Sequence, residues 1–138
     1  HSRNMLTMKK IGKSHLYKAN NDSFLARHMK IFFSLEDLDK SGLVRKIASD
    51  HGSIVSIVLF GSVARGKDDE KSDIDIVIIS RNKIKISMPE LHKKNVRETN
   101  ILCYTINEWK EKAKNSKAFY DDIISDGIVL YGEKILVI

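Results

Sequence analysis

A single cysteine, Cys103, has no partner within the 138 residues. An internal disulfide is therefore excluded, and a reducing cytoplasm is the expected compartment. Long apolar runs are missing too. The longest, Ile74 to Ile79, is broken by Asp75 and falls far below the ~20 residues a helix needs to cross a bilayer. The first thirty residues contain no apolar signal-peptide core. Internal repeats and low-complexity stretches are absent. The five histidines, His1, His15, His28, His51 and His92, show no metal-ligand spacing. Membrane proteins, disulfide scaffolds, repeat arrays and histidine-based metal sites are thus set aside.

What is present suits one ordinary core: 42% of residues are hydrophobic and 30% charged. The net charge of +6 is lopsided. Residues 1–33 hold seven Lys/Arg (Arg3, Lys9, Lys10, Lys13, Lys18, Arg27, Lys30) against one acid, Asp22, whereas residues 34–138 hold seventeen of each sign. Such a basic segment fits contact with a DNA phosphate backbone, and it also fits a solubilising terminus. The expected organisation is a basic hairpin and helix over 1–33, followed by one catalytic-type domain over 34–138.

Two runs, Leu6–Lys9 and His15–Lys18, flank a Gly12-Lys13-Ser14 turn and predict a hairpin. After cap-type Asn20, Asn21 and Asp22, the spacing of Phe24, Leu25, His28, Met29, Phe32 and Phe33 predicts a helix. The row Phe24, His28, Phe32 reads as its packing face, with His28 at the core edge. A second helix passes through Leu43, Val44, Ile47 and Ala48, with Ser41 as its cap. Ile54–Phe60 and Asp73–Ser80 are β-branched runs that predict strands buried on both faces. Pro89–Asn95 reads as a short helix and Arg97–Thr105 as a third strand. Asn107 would cap a helix carrying Trp109, Ala118–Ser125 would form another, and Ile128–Tyr131 a last strand. Trp109, Phe119, Tyr120 and Cys103 read as core. The pattern predicts an α/β (α+β) fold with a mixed sheet and helices mainly on one face.

The chemistry concentrates between Leu59 and Ile79. Gly61 and Ser62 end one buried strand and open a turn, where backbone N–H groups and a hydroxyl can meet a phosphate. Asp73 and Asp75 open the next strand two residues apart, so both carboxylates point to one face. Adjacent like charges repel unless water screens them or a divalent cation sits between them. Magnesium suits such a site, since it takes one or two carboxylates together with substrate phosphate oxygens. Two other motifs fail. Gly61-x-x-x-x-Gly66-Lys67 is a P-loop short of its hydroxyl, because Asp68 stands where Ser or Thr must be. Ser62 is not in a nucleophile elbow, since Phe60 and Ala64 occupy the outer positions.

The run Gly61-Ser62, Gly66, Ser72-Asp73-x-Asp75 leading into an apolar strand resembles the signature of the DNA polymerase β nucleotidyltransferase superfamily. Its Ala64-Arg65-Gly66 context is similar to the minimal nucleotidyltransferases, which are often antitoxin partners of HEPN proteins. The resemblance spans roughly residues 43–132 and includes the Gly127–Gly132 ending. It implies that Gly61 and Ser62 hold phosphates of a nucleoside triphosphate, with Arg65 and Ser72 as further nucleotide contacts. Asp73 and Asp75 would hold Mg2+, and a third carboxylate on a neighbouring strand would help activate the acceptor hydroxyl. At that third position this sequence has Asn100, a neutral amide that cannot act as a base. Glu98, two residues earlier, is the substitute candidate. Separately, Ile11–Asn20 resembles the wing of a winged-helix domain. The recognition helix that would precede it is missing, and His1-Ser2-Arg3 reads as a truncated edge.

Three functions follow as expectations. The first is transfer of a nucleotide monophosphate, AMP from ATP, to a protein or RNA hydroxyl. The second is a nucleotide-binding antitoxin, impaired in catalysis, that acts through a HEPN-type partner. The third is a DNA-binding regulator. Pairing into a homodimer stays open at this point.

Overall fold

The computed structural model describes residues 6–19, 23–69, 71–87 and 97–138. The expected Asn20–Asp22 caps and the Pro89–Asn95 helix lie outside these residues. Strands β1 (Leu6–Ile11) and β2 (Ser14–Ala19) pair antiparallel around Gly12 and Lys13, as the expected hairpin. Helix α1 (Phe24–Ser41) follows and α2 (Leu43–Asp50) packs on it. Then come β3 (Ile54–Phe60), the single turn α3 (Gly61–Ala64), β4 (Ile74–Ser80), β5 (Thr99–Thr105), α4 (Ile106–Asn115), α5 (Lys117–Asp126) and β6 (Ile128–Gly132). No helix among the described residues is long and apolar enough to cross a membrane.

The main sheet has the order β5-β4-β3-β6. β3 runs antiparallel to both β4 and β6, while β4 and β5 are parallel, so the sheet is mixed as expected. Alternation along the two central strands builds two cores. Ile57, Leu59, Ile74, Ile76 and Ile78 meet Leu38, Leu43 and Ile47 of α1 and α2 on one face. Val58, Val77 and Ile79 meet Trp109 and Ile123 of α4 and α5 on the other. The helices thus divide between the faces instead of lying mainly on one. The reason is in the strands: β3 and β4 are apolar on both faces, and each face needs its own cover.

Three local expectations shift. Helix α1 starts one residue after Ser23, whose Oγ accepts from Ala26 N–H at 3.3 Å, and it continues two turns past Phe33. The expected boundary between residues 33 and 34 falls inside it. The row Phe24, His28, Phe32 is exposed, so it does not pack against this chain's core. The buried face is the one carrying Ala26 and Leu38. Ser41 closes α1, its hydroxyl donating to Leu38 O at 2.7 Å while accepting from Leu43 N–H at 3.3 Å.

Helix α4 is capped by Thr105, two residues before the expected Asn107. Thr105 and Glu108 form a reciprocal capping box, with bonds of 3.1 Å in both directions. The Thr105 backbone N–H, then its hydroxyl, hold the Glu108 carboxyl below the usual glutamate range. A group depressed in this way stabilises the fold above its unfolded pKa and loses that contribution as pH falls through the lower folded value. Wild type is therefore expected to melt above Glu108→Gln at neutral pH. The gap should close in acid below about pH 4, as followed by circular dichroism melts across that range.

Trp109 is the largest fully buried side chain, and its indole Nε1 donates to Ile135 O at 2.8 Å. Val137 N–H donates to the Tyr120 hydroxyl at 2.7 Å. The segment after β6 is thereby strapped across α4 and α5, over a cluster joined by Tyr104, Phe119 and Phe60. Trp109 is core and Phe119 and Tyr120 pack half-buried against it, in line with their helical spacing.

Candidate functional site

The site forms where β3 ends and β4 and β5 begin. Register places Phe60, Asp75 and Asn100 at one level across three neighbouring strands. Directly after Phe60 the chain turns at Gly61, whose φ of +79° opens α3. The turn brings the Gly61 backbone against Asp75. A Cβ placed on Gly61 would lie 2.5 Å from Asp75 Oδ2, so any other residue here would displace that carboxylate. Asp73 precedes β4 by one residue, and its carboxylate meets that of Asp75 through a shared neighbour.

That neighbour is Asn100. Its Nδ2 donates to Asp73 Oδ2 at 3.1 Å and to Asp75 Oδ1 at 3.2 Å. Carboxylates only accept, so the NH2 end of the amide must face them. One neutral side chain thus bridges two anions whose repulsion would otherwise be uncompensated. Both aspartates are half-buried, and Asn100 is exposed at the rim.

The other candidates are placed less directly. Ser62 is half-buried in the first turn of α3, and its carbonyl accepts from Lys67 N–H at 2.9 Å. Arg65 is exposed at the end of that turn. The Ser72 hydroxyl is engaged within its own loop, donating to Asp69 Oδ1 at 3.1 Å and accepting from Asp69 N–H at 3.0 Å. The Lys71 N–H and this hydroxyl pull the Asp69 carboxyl below its ordinary range. Ser72 thereby shapes the turn that delivers Asp73 to β4. Glu98 is exposed just ahead of β5, with its carbonyl accepting from Ile74 N–H at 2.9 Å. Among the described residues, no three His, Cys, Asp or Glu side chains converge as a metal-binding group. The aspartate pair nevertheless offers a donor set that fits a hard divalent cation, with phosphate and water completing the shell.

One structural element was invisible in the sequence. Asp68, which there only breaks the P-loop pattern, is buried. Lys30 of α1 donates to its carbonyl and lies 3.7 Å from its carboxylate, while Arg97 donates to Asp68 Oδ2 at 2.7 Å. Gly66 packs directly on the Arg27 carbonyl of α1. The loop between Gly61 and Asp73 is therefore pinned to α1 on one side and to the approach to β5 on the other. A second cleft, lined by Ser80, Lys83, Cys103, Tyr104 and Glu108, lies at the opposite ends of β4 and β5 and touches none of the site residues.

The polymerase beta nucleotidyltransferase family matches residues 43–135, about two thirds of the chain and the whole of the site. Among solved structures, the chain is similar to a toxin–antitoxin complex with AMP-PNP (22% identity, 68% of this chain and 74% of that one, TM-score 0.48). It is also similar to a Sulfolobus solfataricus protein assigned as a nucleotidyltransferase (16% identity, 87% and 97%, TM-score 0.49). A variant of the toxin–antitoxin MntA–HpeT is a further likeness (19% identity, 68% and 74%, TM-score 0.47). No curated protein matches. With its signature residues in place and most of its length matched, the chain belongs to the polymerase beta nucleotidyltransferase family.

Proposed function

We propose that this domain binds a nucleoside triphosphate with Mg2+ and transfers a nucleotide monophosphate, AMP from ATP, to a hydroxyl of a protein or RNA. The observation that carries the reading is the convergence of Asp73, Asp75 and the Gly61 backbone at one strand end. Asp73 and Asp75 would hold the cation, which supplies charge stabilisation for the triphosphate as pyrophosphate leaves. Gly61 and Ser62 approach the phosphates through backbone and hydroxyl, and exposed Arg65 adds a cation beside them. Ser72 contributes by fixing the turn before Asp73. The acceptor oxygen bonds to the α-phosphorus while the bond to the pyrophosphate oxygen breaks. The proton of the acceptor goes to Glu98 or to water, since Asn100 has no basic atom to receive it.

Asn100 also favours a second reading. An amide that ties both aspartates together lowers the anionic character of the site, which suits nucleotide binding without turnover. In that case the domain acts by gripping a protein partner of HEPN type. Calorimetric titration of ATP, with and without magnesium, tests the common part of both readings. Magnesium-dependent binding is expected in wild type, with at least a tenfold loss in Asp75→Asn. Absence of binding to wild type would remove the nucleotide from both. Transfer of label from α-labelled ATP to protein or RNA, lost in Glu98→Gln, then separates the enzyme from the binder.

A further inference from the structure

We propose that α1 is a self-association surface, pairing antiparallel with α1 of a second copy of the chain. Its outward face carries Phe24 (71% exposed), Phe32 (58%), Phe33 (53%) and Met29 (40%). Residues 24, 28 and 32, and residues 29 and 33, are each four apart, so these side chains form one continuous stripe. The Phe32 and Phe33 rings meet edge-on, with centroids 5.6 Å apart. The opposite side of the helix, with Ala26 and Leu38, is the one buried in the chain. Three mostly exposed phenylalanines and a methionine present on the order of 400 Å² of apolar area, large for a soluble monomer. That is about half of the ~800 Å² each partner contributes to a standard interface.

Charge selects the occupant and its direction. The hairpin before α1 carries Lys9, Lys10, Lys13 and Lys18 and no acid, and Lys9, Lys10 and Lys13 are exposed. The second half of α1 carries Glu36, Asp37 and Asp39, with Lys40 as the one cation in that half. Glu36 and Asp39 hold Lys40 and Arg45 in exposed pairs that leave further carboxylate acceptor positions open. A two-fold axis near His28 and Met29 lays the apolar stripe on itself. At 1.5 Å per residue it also sets Glu36 about 11 Å from the axis, toward the N-terminal end of the partner's α1, the end that the basic hairpin precedes in the chain. A parallel pairing would bring lysines to lysines. Isologous antiparallel packing is thus the arrangement that covers the phenylalanines and opposes unlike charges at both ends.

Sedimentation equilibrium on the full chain tests this without reading any nucleotide chemistry. Wild type is expected to dimerise. Phe32→Glu, at an exposed position, should weaken the dimer on the order of a hundredfold with an unchanged circular dichroism spectrum. Lys9→Glu with Lys10→Glu should weaken it less. In a Cys103→Ser background, Met29→Cys near the axis should be captured as dimers by a short bismaleimide. Lys40→Cys, about 17 Å from the axis, should not. A wild type that stays monomeric at every soluble concentration overturns the proposal, and so does a dimer indifferent to Phe32→Glu. If Phe32→Glu fails to fold, the cross-linking pair decides, and equal capture at positions 29 and 40 overturns it.

Discussion

Replacing Asn100 with aspartate is expected to raise the affinity for magnesium on the order of tenfold or more while lowering the melting temperature of the metal-free chain. The two effects have one cause. The Asn100 amide donates to Asp73 Oδ2 and Asp75 Oδ1 and so compensates a pair of anions at the strand ends. A carboxylate in its place offers no donor and adds a third negative charge within hydrogen-bond distance of the other two. Losing charge-assisted hydrogen bonds costs about 1.5–3 kcal/mol, and like-charge repulsion adds to it. A cation bound by three carboxylates reverses the sign, because ligand that binds only the folded state stabilises it by mass action. Thermal melts with increasing magnesium would show the two curves crossing: Asn100→Asp lower without metal and gaining more per step of metal. If transfer from ATP is weak in wild type and grows in this variant, the amide is what limits turnover. Equal magnesium dependence of both proteins would show that position 100 lies outside the metal shell and would sink the proposed assignment of the site.

The fold and the site were legible to different depths. Ile54–Phe60 and Ile74–Ser80 were readable because a doubly covered strand must be apolar at nearly every position, and that composition is local. Asp73 and Asp75 stood out for the opposite reason: carboxylates at a buried strand end are costly without a purpose. The same doubly apolar strands required helices on both faces, yet nothing local says which helix goes to which face. The stripe on α1 exposes the limit of periodicity. Spacing of four marks an apolar face, but Phe24, His28 and Phe32 face outward while the smaller Ala26 and the later Leu38 are buried. Asp68 shows the limit in distance. Its partners lie 38 and 29 residues away, and in sequence it sits beside Asp69, which is exposed. Burial and pairing of that carboxylate depend on α1 and the approach to β5 arriving together, which no window around Asp68 contains. The cap of α4 moved from Asn107 to Thr105 because the capping box with Glu108 satisfies two N–H groups where a lone cap satisfies one.

Gly61→Ala is expected to abolish magnesium-dependent nucleotide binding in a chain that still folds. Two costs meet at this position. At φ +79° a Cβ strains the backbone by about 1–2 kcal/mol. The methyl would also sit 2.5 Å from Asp75 Oδ2, so the carboxylate must swing away from the turn. Moving it breaks the 3.2 Å bond from Asn100 and pulls apart the pair that would hold the cation. Gly42 separates the two costs. It has a similar φ of +72°, with nothing within 4 Å of its Cβ position, and it lies between α1 and α2 away from the site. Gly42→Ala should therefore show the backbone cost alone, as a modest fall in melting temperature with nucleotide binding intact. Gly61→Ala should show a similar or larger fall together with loss of binding. The comparison is read by calorimetric titration beside thermal melts on the same preparations. If both variants bind ATP and magnesium like wild type, the close approach of Gly61 to Asp75 is only a packing contact. If Gly61→Ala alone loses binding, the contact between turn and carboxylate is what assembles the site.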